Sequence, residues 1–64
     1  MQTVKISLAA ARVNANMTQD DTAKEMKVSK TTVVNWEKGK IIPSFASLQL
    51  LANLYEVPVD CIKI

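Results

Sequence analysis

The connection between two short predicted helices is the feature that most constrains the fold of this chain. Thr18 and Ser29 each stand where a hydroxyl can accept a hydrogen bond from the first turn of a helix. The helices that they open are predicted over residues 19–26 and 30–38, so only Lys27 and Val28 separate the first helix from the second cap. Because so tight a turn cannot return the chain antiparallel, the two helices must cross at a steep angle, within about residues 18–38.

The rest of the chain also has helical spacing, with no alternating strand pattern and no internal repeat. A first helix is predicted over about residues 7–14, with Ser7 as its cap, and a fourth begins after Ser44 and runs to about Glu56. The apolar stripe of the first helix is predicted to be Ile6, Ala9, Ala10 and Val13. That of the fourth is predicted to be Phe45, Leu48, Leu51, Ala52 and Tyr55.

The C-terminal residues allow two interpretations. Pro58 ends the fourth helix, and residues 59–64 either form a short fifth helix or remain extended. A chain of 64 residues has room for one small domain. We therefore predict a single all-α domain over residues 1–64.

The composition excludes several functional classes. The chain has no histidine and one cysteine, Cys61, so neither an internal disulfide nor a Cys/His zinc site can form. It has no phosphate-binding loop, so we expect neither an enzyme nor a cofactor. Cys61 is expected to be a small, buried, apolar side chain in a reducing compartment. No apolar run approaches the ~20 residues of a membrane span, and a cytoplasmic location is expected.

The third predicted helix has one core face and one face of a particular chemistry. On a helical wheel Val33 and Trp36 fall on the core side. The opposite face collects Thr31, Asn35 and Lys38, with Lys30 and Val34 beside it. Lysine, asparagine and methyl-bearing side chains are the types that read base edges in the major groove of DNA, although an ordinary solvated face has a similar composition.

Charge along the chain supports a nucleic-acid partner. The net charge is only +2, but residues 27–40 contain four lysines against one glutamate, whereas residues 18–26 are net negative. Lysines supply the phosphate neutralisation on which nonspecific DNA affinity depends. The positive charge is therefore concentrated around the third helix.

Glu37 falls on the core side of the third helix, where an unpaired carboxylate is costly. Arg12 is the only arginine in the chain and lies near the end of the first helix. We predict that the two form a bidentate ion pair that ties the first helix to the third. The alternative is that each side chain reaches water separately.

Four stretches together resemble a known family: residues 18–23 (TQDDTA), 28–33 (VSKTTV), 35–39 (NWEKG) and 43–44 (PS). The chain resembles, from about Ile6 to Ile62, the helix-turn-helix domains of phage repressors and Cro proteins, also called the XRE family. The resemblance implies a compact five-helix, lambda-repressor-like domain whose third helix enters the major groove. It further implies a two-fold dimer on a palindromic operator and a transcriptional regulator, expected to be a repressor of phage, prophage or mobile-element type.

The same resemblance assigns roles to individual positions. The residues implied to contact base edges are Lys30, Thr31 and Asn35, with Thr32 and Val34 close by. Those implied to contact DNA phosphates are Gln19, Lys38 and Lys40, with Thr18 and Ser29. Arg12 and Glu37 match the buried pair of the family, in agreement with the wheel.

The chain departs from the family at three positions. Asn16 and Lys27 stand where glycine is usual, so each turn is expected to hold a non-glycine residue in left-handed conformation. Thr22 stands where a larger aliphatic residue is usual.

Two questions stay open at this level. One is whether the chain binds DNA or is an antirepressor or adaptor that keeps the fold without DNA binding. The other is the use of the C-terminal apolar residues, which either form a dimer contact or complete the monomer core; they are Leu54, Val57, Val59, Ile62 and Ile64.

Overall fold

A computed structural model describes residues 5–63 as four α-helices and one small sheet. The helices are α1 (Leu8–Asn14), α2 (Gln19–Met26), α3 (Lys30–Lys38) and α4 (Phe45–Leu54). Strand β1 (Ile6–Ser7) precedes α1, and a short 3-10 turn (Val59–Cys61) leads into strand β2 (Ile62–Lys63). Residues 5–63 thus contain four α-helices instead of five, and no helix among them is long and apolar enough to cross a membrane.

The sheet corrects the all-α prediction. Strands β1 and β2 pair in parallel, with Ile6 opposite Ile62 and Ser7 opposite Lys63. A two-residue strand is too short to show the alternation by which strands are found in sequence. The C-terminal residues combine the two interpretations: Val59–Cys61 form one turn of 3-10 helix, and Ile62–Lys63 are extended. Ile64 lies outside the described residues.

All four predicted N-caps are present. The hydroxyls of Ser7, Thr18, Ser29 and Ser44 each accept a hydrogen bond from the backbone N–H three residues on, at 3.0–3.2 Å. At α2 the bond is reciprocal, because the Asp21 carboxylate accepts from the Thr18 N–H at 2.9 Å. These hydrogen bonds from Thr18 lower the pKa of Asp21 below its usual value.

The four helices also end alike, each at a residue with positive φ. These residues are Asn16 (59°), Lys27 (58°), Gly39 (78°) and Glu56 (57°). After α2, for example, the Lys27 and Val28 N–H groups bond back to the carbonyls of Lys24 and Ala23. This left-handed closure is the Schellman motif, and only one of the four positions has glycine. The left-handed conformation expected at Asn16 and Lys27 is confirmed, and Glu56 adds a third case that the sequence analysis missed.

Core packing differs from the predicted stripe along α1 and at the first turn of α4. In α1 the buried residues are Leu8 and Ala11, while Val13 is 58% exposed. Ile6 lies in β1 and not in α1, so its predicted place in the apolar stripe of that helix is wrong. In α4 Leu51 and Ala52 are buried, but Phe45, at the first turn, is 66% exposed.

The core contains buried residues from all four helices. Val33 and Trp36 of α3 are buried, as its wheel predicts, and so is Leu51 of α4. Thr22 is fully buried, and the Tyr55 hydroxyl donates a hydrogen bond to its Oγ1 at 3.0 Å. The hydroxyl that replaces an aliphatic side chain is therefore satisfied inside the core.

The C-terminal apolar residues serve the monomer core. Ile62 is buried, and Leu54, Val57 and Val59 are half-buried against the same cluster. This favours the second of the two uses considered for them. Cys61 is partly exposed, so its predicted burial is wrong.

Candidate nucleic-acid interface

Helix α3 lies with one face in the core and one in solvent. Val33 and Trp36 anchor the inner face, and Gly39 ends the helix with a left-handed turn. On the outer face Lys30, Thr31 and Lys38 are exposed. The side chains with which a groove could be read are therefore held on a rigid element by its two buried anchors.

Asn35 and Val34 are less accessible than the wheel indicates, because both are half-buried. After Gly39 the chain folds back toward α3, and the Lys40 and Ile41 N–H groups donate to the Asn35 carbonyl at 3.0 and 3.3 Å. These bonds belong to the left-handed closure at Gly39, in which the backbone turns back over the last turn of α3. Part of each side chain remains open to solvent.

The hydroxyls of the predicted site are already hydrogen-bonded within the chain. Thr18 and Ser29 act as caps, and the Ser29 and Thr32 hydroxyl oxygens lie 3.0 Å apart. Thr32 is half-buried, which leaves Thr31 as the exposed member of the two neighbouring threonines. A hydroxyl that caps a helix is aimed at backbone and is less free to meet a base edge.

Lys30 has a neighbour that the sequence analysis missed. Its Nζ lies 3.9 Å from Oδ2 of Asp20, on the first turn of α2. Both side chains are largely exposed, so this ion pair contributes little to stability. The two residues belong to different helices, and no periodic pattern connects them in the sequence. Their pairing follows from the packing of α2 against α3.

The predicted Arg12–Glu37 ion pair is present. Arg12 Nε donates to Glu37 Oε2 at 2.7 Å, and Nη2 lies 3.4 Å from Oε1. A third guanidinium nitrogen, Nη1, donates to the Met17 carbonyl at 2.8 Å. The hydrogen bond with the Glu37 carboxylate raises the pKa of Arg12 above its already high value. The pair joins α1, the turn after it and α3.

Gln19, implied as a phosphate contact, is part of the same network. Its Nε2 donates to Glu37 Oε1 at 3.1 Å, and the residue is half-buried at the first position of α2. The charged pair therefore also holds a side chain at the start of the helix that packs on α3. Sequence spacing carries no signal for this contact, because it joins two helices.

Charge around α3 is supplied by exposed lysines. Lys27 lies in the turn before α3, Lys38 in its last turn and Lys40 just beyond it. No group of three or more acidic or cysteine side chains within residues 5–63 is placed to hold a metal ion. The surface is thus polar and cationic along the outer face of α3 and at both ends of the helix.

Comparison with known proteins identifies the family. The family model described as helix-turn-helix matches residues 8–60. The chain is 34% identical over 53 residues to the HTH-type transcriptional activator BcrR of Enterococcus faecalis. The matched segment covers 83% of this chain and 26% of that protein. It is 36% identical over 61 residues to the uncharacterized HTH-type transcriptional regulator MJ0272 of Methanocaldococcus jannaschii, covering 95% of this chain and 92% of that protein. No solved structure matches the chain.

The chain spans about a quarter of the length of the first relative and nearly all of the second. The family match includes all four α-helices and ends at Asp60, within the 3-10 turn. The chain therefore belongs to the XRE-type helix-turn-helix family of DNA-binding transcriptional regulators.

Proposed function

We propose that residues 1–64 act as one sequence-specific, double-stranded DNA-binding domain in which α3 reads the major groove. The observation that carries this proposal is the outer face of α3, where Thr31 and Lys38 are exposed while Val33 and Trp36 are buried. Lys27 and Lys40 flank the helix with positive charge suited to phosphates. No cofactor is part of the proposal.

Base reading is assigned to Lys30, Thr31 and Asn35, with Thr32 and Val34 at the edge of the contact. Lysine donates to guanine, and asparagine pairs with adenine through two hydrogen bonds. Backbone contacts are assigned to Gln19, Lys38 and Lys40, whereas the capping bonds of Thr18 and Ser29 give these two a supporting role.

The regulatory outcome we propose is repression, of the phage, prophage or mobile-element type. A domain bound at its operator excludes other proteins from the same stretch of DNA. The Enterococcus relative is named an activator, but most of its length lies outside the part that this chain matches.

The proposed assembly is a homodimer on a palindromic operator. Its two recognition helices would lie about 34 Å apart, one turn of duplex. The contact would use those parts of Leu54, Val57 and Val59 that packing in the monomer core leaves exposed. Sedimentation of the protein with its operator tests this, because one chain per duplex would contradict the dimer.

Selection of bound duplexes from a random pool, followed by binding at low and moderate salt, tests DNA reading. Lys30→Ala and Asn35→Ala should each cost about 1–3 kcal/mol at their own base pairs. Lys38→Ala should weaken all sequences alike and reduce the salt slope by about one.

The control is Lys5→Ala, which removes the same charge from a groove formed with α4 and the 3-10 turn, away from the outer face of α3. Uniform loss in all three test variants would contradict the base-reading assignment. No binding to any duplex at low salt would favour an antirepressor or adaptor instead.

A further inference from the structure

The side-chain amide of Gln19 is held in the free protein, although it lies at the edge of the proposed DNA surface. Its Nε2 carries two hydrogens, and one of them is donated to Glu37 Oε1 at 3.1 Å. The other has no hydrogen-bond acceptor within residues 5–63. The backbone N–H of Gln19 also lacks an intrahelical acceptor, as at every helix start. The residue thus has two N–H donors without an acceptor among residues 5–63.

We infer that Glu37 is a positioning residue for DNA binding: it fixes the Gln19 amide so that its second N–H is left for a phosphate oxygen. This rests on the proposed function, in which Gln19 contacts the DNA backbone. Glu37 itself touches no DNA. Its contribution passes through the hydrogen bond that it accepts from Gln19.

The ion pair makes Glu37 a rigid acceptor. Two nitrogens of Arg12 bind its carboxylate, a third binds the Met17 carbonyl, and the Glu37 side chain is only 8% exposed. The same pair solves an electrostatic problem, because a bare carboxylate near the backbone of DNA would repel the phosphates. Arg12 neutralises that charge while leaving Oε1 within reach of the amide.

Holding Gln19 in place before binding reduces the entropy that is lost on binding. A free glutamine side chain has many rotamers, and fixing it against a phosphate costs conformational entropy, which lowers the affinity. In this chain the ordering takes place when α2 packs on α3. The gain should appear as affinity for every sequence, since phosphate contacts carry no base information.

A double-mutant cycle tests this inference. The variants are Gln19→Ala, Glu37→Met and the two combined, each measured by equilibrium binding to a selected duplex at a temperature where circular dichroism shows it folded. Glu25→Met is the matched control, because it makes the same replacement of a glutamate by a methionine at an exposed position near the end of α2, next to Met26 and Leu50.

Gln19→Ala should weaken binding about tenfold, and Glu37→Met about fivefold relative to Glu25→Met. In the Gln19→Ala background the Glu37→Met substitution should have no further effect. Equal losses in both backgrounds, or unchanged affinity in Gln19→Ala, would overturn the inference. If the wild-type protein binds no DNA, the proposed function fails with it; if only the coupling is missing, the proposed function stands.

A second measurement does not depend on the stability of the Glu37 variant. Nuclear magnetic resonance of the free wild-type protein should show slower rotation and slower hydrogen exchange of the Gln19 side-chain amide than of Gln49, which is exposed on α4. Identical behaviour of the two amides would overturn the inference.

Discussion

Removal of Arg12 is the perturbation for which the structure gives the clearest magnitude. In Arg12→Ala, Glu37 would lose both guanidinium partners and keep only the Gln19 amide as a donor. The Met17 carbonyl would lose its partner as well. The side chains of the pair are 15% and 8% exposed, so water replaces these bonds poorly.

The expected cost lies between two limits. Exposed ion pairs contribute about 0–1 kcal/mol, whereas removing one partner of a fully buried pair costs about 3–5 kcal/mol. For this largely covered pair we expect the free energy of unfolding to fall by about 2–3 kcal/mol. In a domain of this size, where each kcal/mol shifts Tm by about 4–8 °C, the melting temperature should fall by about 10–20 °C.

Thermal unfolding followed by circular dichroism measures this loss. Lys24→Ala is the control, because it removes an exposed cation from α2 and should leave Tm nearly unchanged. The sequence preference of Arg12→Ala, determined by selection from random duplexes, should match that of the wild type. An unchanged Tm of Arg12→Ala would refute the stabilising role of the ion pair. An altered base preference, measured at a temperature where the variant is fully folded, would also refute it.

Three further predictions concern helix ends and the core. Lys27→Gly should stabilise the fold by about 0.5–1 kcal/mol, because glycine relieves the left-handed strain; a lower urea midpoint would contradict this. Tyr55→Phe should cost about 1–2 kcal/mol by removing the partner of the buried Thr22 hydroxyl, and an unchanged midpoint would show that this bond contributes nothing. The hydrogen bonds from Thr18 lower the pKa of Asp21 in the folded state. They therefore stabilise the fold at pH values above the unfolded-state pKa of about 3.9, and this stabilisation is lost as the pH falls through the folded-state pKa. The stability difference between wild type and Asp21→Asn should therefore be present at pH 7 and vanish near pH ~2, and a constant difference would contradict this.

Local chemistry explains why the helix boundaries could be predicted. A hydroxyl cap bonds three residues along the chain, and a left-handed closure bonds back within one turn, so both depend on neighbouring residues. Ser7, Thr18, Ser29 and Ser44 all act as predicted. The inner face of α3 could be predicted for the same reason, since the helical period places Val33 and Trp36 together.

The errors come from contacts between distant segments. Ile6 was counted on the wheel of α1, but pairing with Ile62 draws it into a strand, and the buried face of the helix shifts to Leu8 and Ala11. The same pairing turns the expected fifth helix into one 3-10 turn and an extended end.

The sequence by itself determined four helices, their caps, the short turn between α2 and α3 and the side-chain types on the outer face of α3. Each of these follows from residues that lie within a few positions of one another. Only the tertiary structure decided that Asp20 lies against Lys30 and that Gln19 shares the carboxylate of Glu37 with Arg12. Those contacts depend on the angle and distance at which helices pack, and no spacing along the chain encodes them.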